Sequence, residues 1–195
     1  NSGDFIFSRS FGQSAAETAE YTAAVTARMA EDGMGSVLKH FPGYGNNVDT
    51  HTGIAIDSRS LSELESRDLI PFQAGIDAGA EAVMVSHTIV ECLDKEYPAS
   101  LSPAVHNYLR SKMVFGGVII TDDLVMSAIT KLYGDAEAAV LAVLAGNDLL
   151  CVTNYAVQYK AVLAAGNTYG DPVSRRDHMI VLHAAADQSH QFLHL

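Results

Sequence analysis

Gly117-Val118-Ile119-Ile120-Thr121-Asp122-Asp123 is a run of β-branched residues bracketed by glycine and two acids. Its hydrophobicity is continuous rather than alternating, the pattern of a strand covered on both faces and therefore of a parallel sheet. Ala82-Val83-Met84-Val85-Ser86-His87 repeats the pattern, Ser36 to Phe41 gives another such strand, and Asp148-Leu149-Leu150-Cys151-Val152-Thr153 a fourth. In each, the polar residues collect where the strand ends: Lys39 and His40, His87, Asp122 and Asp123.

Helical signals fill the intervals. Ser14-Ala15-Ala16-Glu17 reads as a capping box that starts a helix running to about Asp32, with Tyr21, Val25 and Met29 on one face. Ser60 with Glu63, or Ser62 with Glu65, starts the next, which Pro71 is expected to kink or restart. Ser102-Pro103 pairs a cap with a proline at the first helical position. Further helices are expected from Asp135 to Ala145, from Tyr155 to Ala165 and, in the less regular tail, near Arg175 to Gln188. Phe5-Ile6-Phe7 reads as the tail of a strand.

Four strands alternating with helices at intervals of about 30 to 40 residues have the period of a parallel βα fold. A complete eight-stranded barrel takes about 250 residues. The expectation is an α/β fold, the C-terminal half of a TIM-type (β/α)8 barrel with about four parallel strands, the first strands lying ahead of Asn1. Residues 1–195 would form one partial catalytic barrel domain. A half-barrel exposes strand edges, so the missing half or a self-associated copy is expected to complete it.

The 195 residues are 48% hydrophobic and carry a formal net charge of -11, with no basic cluster longer than Arg175-Arg176. Nucleic acid and anionic membrane are thus disfavoured partners. Cys92 and Cys151 sit far apart in apolar surroundings, which argues for core thiols rather than a metal or disulfide framework. No apolar run reaches the roughly 20 residues of a membrane span. No basic-then-apolar leader is visible, which favours the cytoplasm and leaves export open.

The most unusual connection is Lys39-His40-Phe41-Pro42-Gly43-Tyr44-Gly45-Asn46-Asn47-Val48-Asp49-Thr50-His51-Thr52. Long ordered loops of this polarity usually serve function. Asp49 and His51 lie two apart and point the same way in an extended segment, so the carboxylate can orient the imidazole as an acid/base. The plainer reading is surface hydrogen bonding. Asp122, at the mouth of its strand, suits a nucleophile, while a capping acid at the next turn explains Asp122 and Asp123 as well. Taken together, a carboxylate on a strand end and an acid/base on a loop meet the two-group requirement of glycoside hydrolysis. His87 reads as a satisfied strand-end histidine rather than a pocket residue.

These motifs carry a resemblance. Lys39-His40-Phe41-Pro42-Gly43, the Asp49-Thr50-His51 segment and Ile120-Thr121-Asp122-Asp123-Leu124-Val125-Met126 together resemble the β-N-acetylhexosaminidase branch of glycoside hydrolase family 3. Arg9-Ser10-Phe11-Gly12 and Tyr97-Pro98-Ala99-Ser100-Leu101-Ser102 match in order and spacing, and the similarity covers roughly residues 5 to 165. The resemblance implies a retaining hydrolase that releases terminal β-linked N-acetylglucosamine from peptidoglycan fragments or related glycosides, with no cofactor. It assigns Asp122 as nucleophile, His51 as acid/base and Asp49 as its orienting partner. Arg9, Lys39 and His40 would hold the sugar's hydroxyl and N-acetyl groups. The chain departs from the family at Tyr44, where a histidine is usual, and near Asn46, where an acid is usual.

Three rival readings stand beside it. A phosphorylase would use the same nucleophile with phosphate in place of water. A metal-dependent hydrolase would draw on His40, Asp49, His51 and His87, without the tight spacing of a zinc motif. A truncated, inactive remnant is the third.

Overall fold

The computed structural model describes residues 4–169 and 180–183. The chain enters through a 3-10 turn, Phe7–Arg9, where a strand tail was predicted. Helix α1, Ala15–Glu31, then begins with the predicted capping box. Ser14 Oγ accepts from the Glu17 N–H at 3.2 Å, and Glu17 Oε2 accepts from the Ser14 N–H at 3.1 Å. Strand β1 is Val37–Phe41 and a short β2 is Ala55–Asp57.

The next helix is continuous but not uniform. Ser60 caps α2, Leu61–Glu63, and a π-helical turn, Leu64–Asp68, follows before α3, Leu69–Asp77. The widened turn, in which the Leu69 N–H reaches the Leu64 carbonyl, places Pro71 in the first turn of the restarted helix, where its missing N–H is tolerated. Beyond β3, Ala82–Val85, and β4, Thr88–Val90, Ser102 caps α4, Pro103–Asn107, which runs into a second π turn, Tyr108–Lys112. The Tyr108 hydroxyl donates to Glu65 Oε1 at 2.8 Å, tying the two widened turns together. Strand β5 is Val118–Thr121, followed by the short α5, Ser127–Thr130, then α6, Asp135–Ala145, β6, Leu149–Val152, and α7, Tyr155–Tyr169.

The main sheet has the order β1-β3-β5-β6-β7, all parallel, with β7 spanning Ile180–His183. Its first four strands are those predicted. The fifth is a correction: residues 180–183 fall inside the helix expected near Arg175 to Gln188, yet they pair with β6 from Leu149↔Ile180 to Val152↔His183. A short apolar run beside an open strand edge satisfies its backbone through the ladder, and that tertiary pairing overrides a weak local preference. The remainder of that predicted helix lies outside the described residues. A second, two-stranded parallel sheet joins β2 to β4. Three residues per strand give too short a run to read a period from.

Core residues form two clusters along this frame. Leu38, Phe41, Phe72, Val83, Leu109 and Ile119 belong to one buried cluster, with the Phe41 and Phe72 rings edge to face at 5.3 Å. Leu124, Ile129, Ala142, Leu150, Val152 and Val162 belong to another. Helix α3 approaches α1 and β1 at Gly75, where an added Cβ would stand 2.7 Å from a Leu38 methyl and 3.0 Å from the Thr22 methyl. Among the described residues no helix is long and apolar enough to cross a membrane.

Candidate active site

The C-terminal ends of β1, β3, β5 and β6 bring the polar residues together. The β1 to β3 register runs Lys39↔Met84 and then Phe41↔Val85, so the ladder slips at His40. In a regular strand Lys39 and His40 would face opposite ways. Here both are buried and both act on Asp122. His40 Nε2 stands 3.5 Å from Asp122 Oδ2, and the Lys39 ammonium lies within electrostatic reach of the same carboxylate. Burial pushes the Lys39 pKa down, Asp122 opposes that, and the Arg9 guanidinium adds to the lowering. Arg9, at the end of the N-terminal 3-10 turn, is thereby placed beside Lys39.

Asp122 follows β5, the middle strand of the five. Burial alone would raise its pKa, but the His87 and His40 imidazoles, the Asp123 N–H and the Lys39 ammonium outweigh that, and the carboxyl stays below the ordinary 3.8. Its Oδ1 accepts from the Asp123 N–H at 2.9 Å. The group is therefore an ionised carboxylate at a strand end, backed by cationic and N–H partners, which is the state a nucleophile needs.

Asp123 has a different task. Its Oδ1 accepts from the Val125 N–H at 3.1 Å and its Oδ2 from the Thr153 hydroxyl at 2.9 Å, which makes it the turn-forming acid. The turn-forming role that the sequence left open for both acids thus falls to Asp123. His87 is 1% exposed and both of its ring nitrogens are engaged. Because the Asp123 carbonyl at 2.9 Å can only accept, Nε2 carries the hydrogen, and Nδ1 lies 2.8 Å from the Ser100 hydroxyl. Burial pushes the imidazole down, against the opposing Asp122 carboxylate and Asp123 carbonyl. His87 is a satisfied brace beneath the Asp122–Asp123 turn.

The loop after β1 carries the second pair. His51 Nδ1 lies 2.7 Å from Asp49 Oδ1, and the His51 backbone N–H donates to the same oxygen at 2.9 Å. Asp49 thus fixes the Nδ1–H tautomer, and the His51 side chain, 58% exposed, keeps Nε2 for an incoming group. Between these two residues Thr50 is 2% exposed. The Tyr44 hydroxyl accepts from the Thr50 N–H at 3.0 Å and lies 3.0 Å from Thr50 Oγ1.

The loop's turns rest on an ion network. Gly43 and Gly45 have φ of +124° and +58°, and a Cβ on either would meet Asp68 at 2.8 Å or Arg59 at 2.6 Å. Arg59 bridges Asp57, 2.5 Å from Nη2, and Asp68, 2.9 Å from Nη1. Neither Arg59 nor Asp68 was singled out from the sequence, although two glycines flanking a tyrosine hinted that something large must pass close by.

Cys151 was read as a core thiol. It lies half-buried on β6, where burial and then the Asp123 and Asp122 carboxylates push its pKa up to about 12. The protonated thiol is part of the site's wall, a placement invisible without the sheet order. The four residues named for the metal reading do not converge: among the described residues no group of three or more His, Cys, Asp or Glu could hold a metal ion.

The family model "Glycosyl hydrolase family 3 N terminal domain" matches residues 1–174. A β-hexosaminidase of Stenotrophomonas maltophilia (strain K279a) is 46% identical over 125 residues, covering 63% of this chain and 37% of that protein. A β-hexosaminidase of Xylella fastidiosa (strain M23) is 39% identical over 149 residues, covering 75% of this chain and 44% of its own length. The chain therefore spans less than half the length of these curated relatives. Among solved structures, a glycoside hydrolase family 3 β-N-acetylglucosaminidase from Paenibacillus sp. str. FPU-7 superposes with a TM-score of 0.84 at 32% identity, covering 91% of this chain and 36% of that one. The motifs, the parallel sheet with its site at the strand ends, and the match over residues 1–174 lead to one conclusion: the chain belongs to the glycosyl hydrolase family 3 N-terminal domain family.

Proposed function

We propose that the protein carrying this chain is a retaining glycoside hydrolase that releases terminal β-linked N-acetylglucosamine, with peptidoglycan fragments among its substrates. The carrying observation is that Asp122 is held ionised beside His40 on the middle strand while the Asp49–His51 pair stands on the neighbouring loop. The names of the relatives, β-hexosaminidase and β-N-acetylglucosaminidase, support the same substrate class.

The steps follow from these groups. Asp122 attacks the anomeric carbon as the glycosidic C–O bond breaks, and protonated His51 gives its Nε2 proton to the departing oxygen. Asp49 stabilises the imidazolium before transfer and keeps the neutral ring in the right tautomer afterwards. In the second half, His51 takes a proton from water, the water oxygen attacks the anomeric carbon, and the Asp122 ester bond breaks. Two inversions at one carbon give net retention. Arg9, Lys39 and His40 grip the sugar's hydroxyl and N-acetyl groups, and Lys39 with His40 also keeps Asp122 charged.

The test is hydrolysis of a chromogenic N-acetylglucosaminide by the protein carrying this chain, with Asp122→Asn alongside. The variant is expected to lose activity by about a thousandfold or more, as when a nucleophile is removed. Undiminished turnover by Asp122→Asn would sink the nucleophile assignment.

A further inference from the structure

Thr50 is gripped at both ends of its own backbone. Its N–H donates to the Tyr44 hydroxyl at 3.0 Å, and its carbonyl accepts from the Ala128 N–H of α5 at 3.1 Å. A second clamp follows two residues on, where Lys131 Nζ donates to the Thr52 carbonyl at 2.7 Å. The segment that displays Asp49 and His51 is thus fastened by Tyr44 on one side and by α5 on the other. Both fastenings fall on residues that do no chemistry.

Tyr44 also touches the other half of the site. Its ring stands edge-on to His40 with centroids 5.9 Å apart, and His40 is the residue 3.5 Å from Asp122. The Phe5 ring lies 5.6 Å from the Tyr44 ring and 6.1 Å from that of His51. A buried phenol therefore connects the nucleophile side, through His40, with the acid/base side, through Thr50.

We propose that Tyr44 is the positioning residue of this site: its hydroxyl, acting through Thr50, sets the place from which His51 delivers and takes its proton. This inference rests on the acid/base role proposed for His51. The role assigned to Tyr44 runs through Thr50, the residue its hydroxyl binds. It removes the loop's freedom to swing His51 away, the kind of pre-organisation by which a displacement of about 1 Å changes rate by about a hundredfold.

The chemistry supplies a selective readout. A glycoside with a dinitrophenyl leaving group needs no proton to depart, whereas an alkyl glycoside does. Both still need a base for the water step. In Tyr44→Phe, which keeps the ring and deletes the hydroxyl, kcat/KM for an alkyl N-acetylglucosaminide is expected to fall about tenfold to a hundredfold. For the dinitrophenyl substrate, kcat/KM should stay within about twofold while kcat falls. Azide, which attacks the anomeric carbon without deprotonation and releases Asp122 as a glycosyl azide forms, should restore that kcat. Equal losses on both substrates would mean a general packing defect and overturn the proposal, as would an unchanged alkyl rate. His51→Ala separates the two levels. If His51→Ala discriminates between the substrates and Tyr44→Phe does not, Tyr44 has no positioning role; if His51→Ala also fails to discriminate, the acid/base reading falls and takes this inference with it.

Discussion

His40 Nε2 lies 3.5 Å from Asp122 Oδ2, across a site in which the imidazole is the more deeply buried of the two. The slip in the β1 ladder is what brings them together, since it lets consecutive residues of one strand serve the same carboxylate. The Asp122 pKa is depressed, so the charged carboxylate that the proposed mechanism needs is present above that value and is lost as pH falls through it. The acid limb of the pH–rate profile belonging to Asp122 is expected below its ordinary 3.8. In His40→Ala one of the lowering partners is gone, and that limb should move to higher pH. An unmoved limb in a kcat/KM profile would show that His40 does not hold the carboxylate ionised.

Asp49→Asn keeps the size of the side chain and removes its charge. His51 is more than half exposed, so water alone would allow either tautomer, and Asp49 is what selects the one with Nε2 free. For an alkyl glycoside, kcat/KM is expected to drop about a hundredfold. A dinitrophenyl substrate should suffer much less in the same assay. A uniform loss on both would argue against an orienting role.

Asp57 is 2% exposed and holds Arg59, which Asp68 grips from the other side. Burial would raise the Asp57 pKa, but the hydrogen bonds and charge of Arg59 outweigh it, and the value is lowered. Asp57→Ala leaves a half-buried guanidinium with Asp68 as its remaining carboxylate partner and should cost about 1 to 3 kcal/mol. In the wild-type chain, the stability contributed by this carboxylate is complete above its unfolded value and lost as pH falls through the lowered one. Denaturant midpoints at about pH 7 and about pH 3 should therefore differ less in Asp57→Ala than in wild type.

Gly75→Ala looks favourable for a helix, by about 1 kcal/mol. In α3 it is not, because the new methyl meets Leu38 at 2.7 Å and Thr22 at 3.0 Å. Overpacking of this kind is expected to cost about 1 to 3 kcal/mol net. Thermal unfolding measures the sign directly, and a raised midpoint would show that α1 and α3 move apart without loss.

Four strands could be read in the sequence because each is a continuous apolar run, and both capping boxes because Ser14 and Ser60 obey a local rule over three residues. Asp49 and His51 were legible for the same reason, being two apart on one segment. What escaped the reading depends on distant partners. Strand β7 exists through its pairing with β6, and β2 and β4 exist only as a pair. The meeting of His40 with Asp122 needs the order of the sheet and a ladder slip, neither of which leaves a pattern in composition. Tyr44 was visible only as a departure from the family loop, and its bond to Thr50 supplies a physical reason for a phenol there.

The bracing of Asp122 by the middle strand, beside the pinning of His51 by a handful of loop contacts, has a thermal consequence. Amides of β5 are expected to exchange with solvent only through openings close to global unfolding, and those of residues 43–54 through smaller, local ones. On warming, proton transfer should therefore fail reversibly while the carboxylate stays in place. Under the proposed mechanism a glycosylated Asp122 would then persist, and its lifetime would record how often the loop is away.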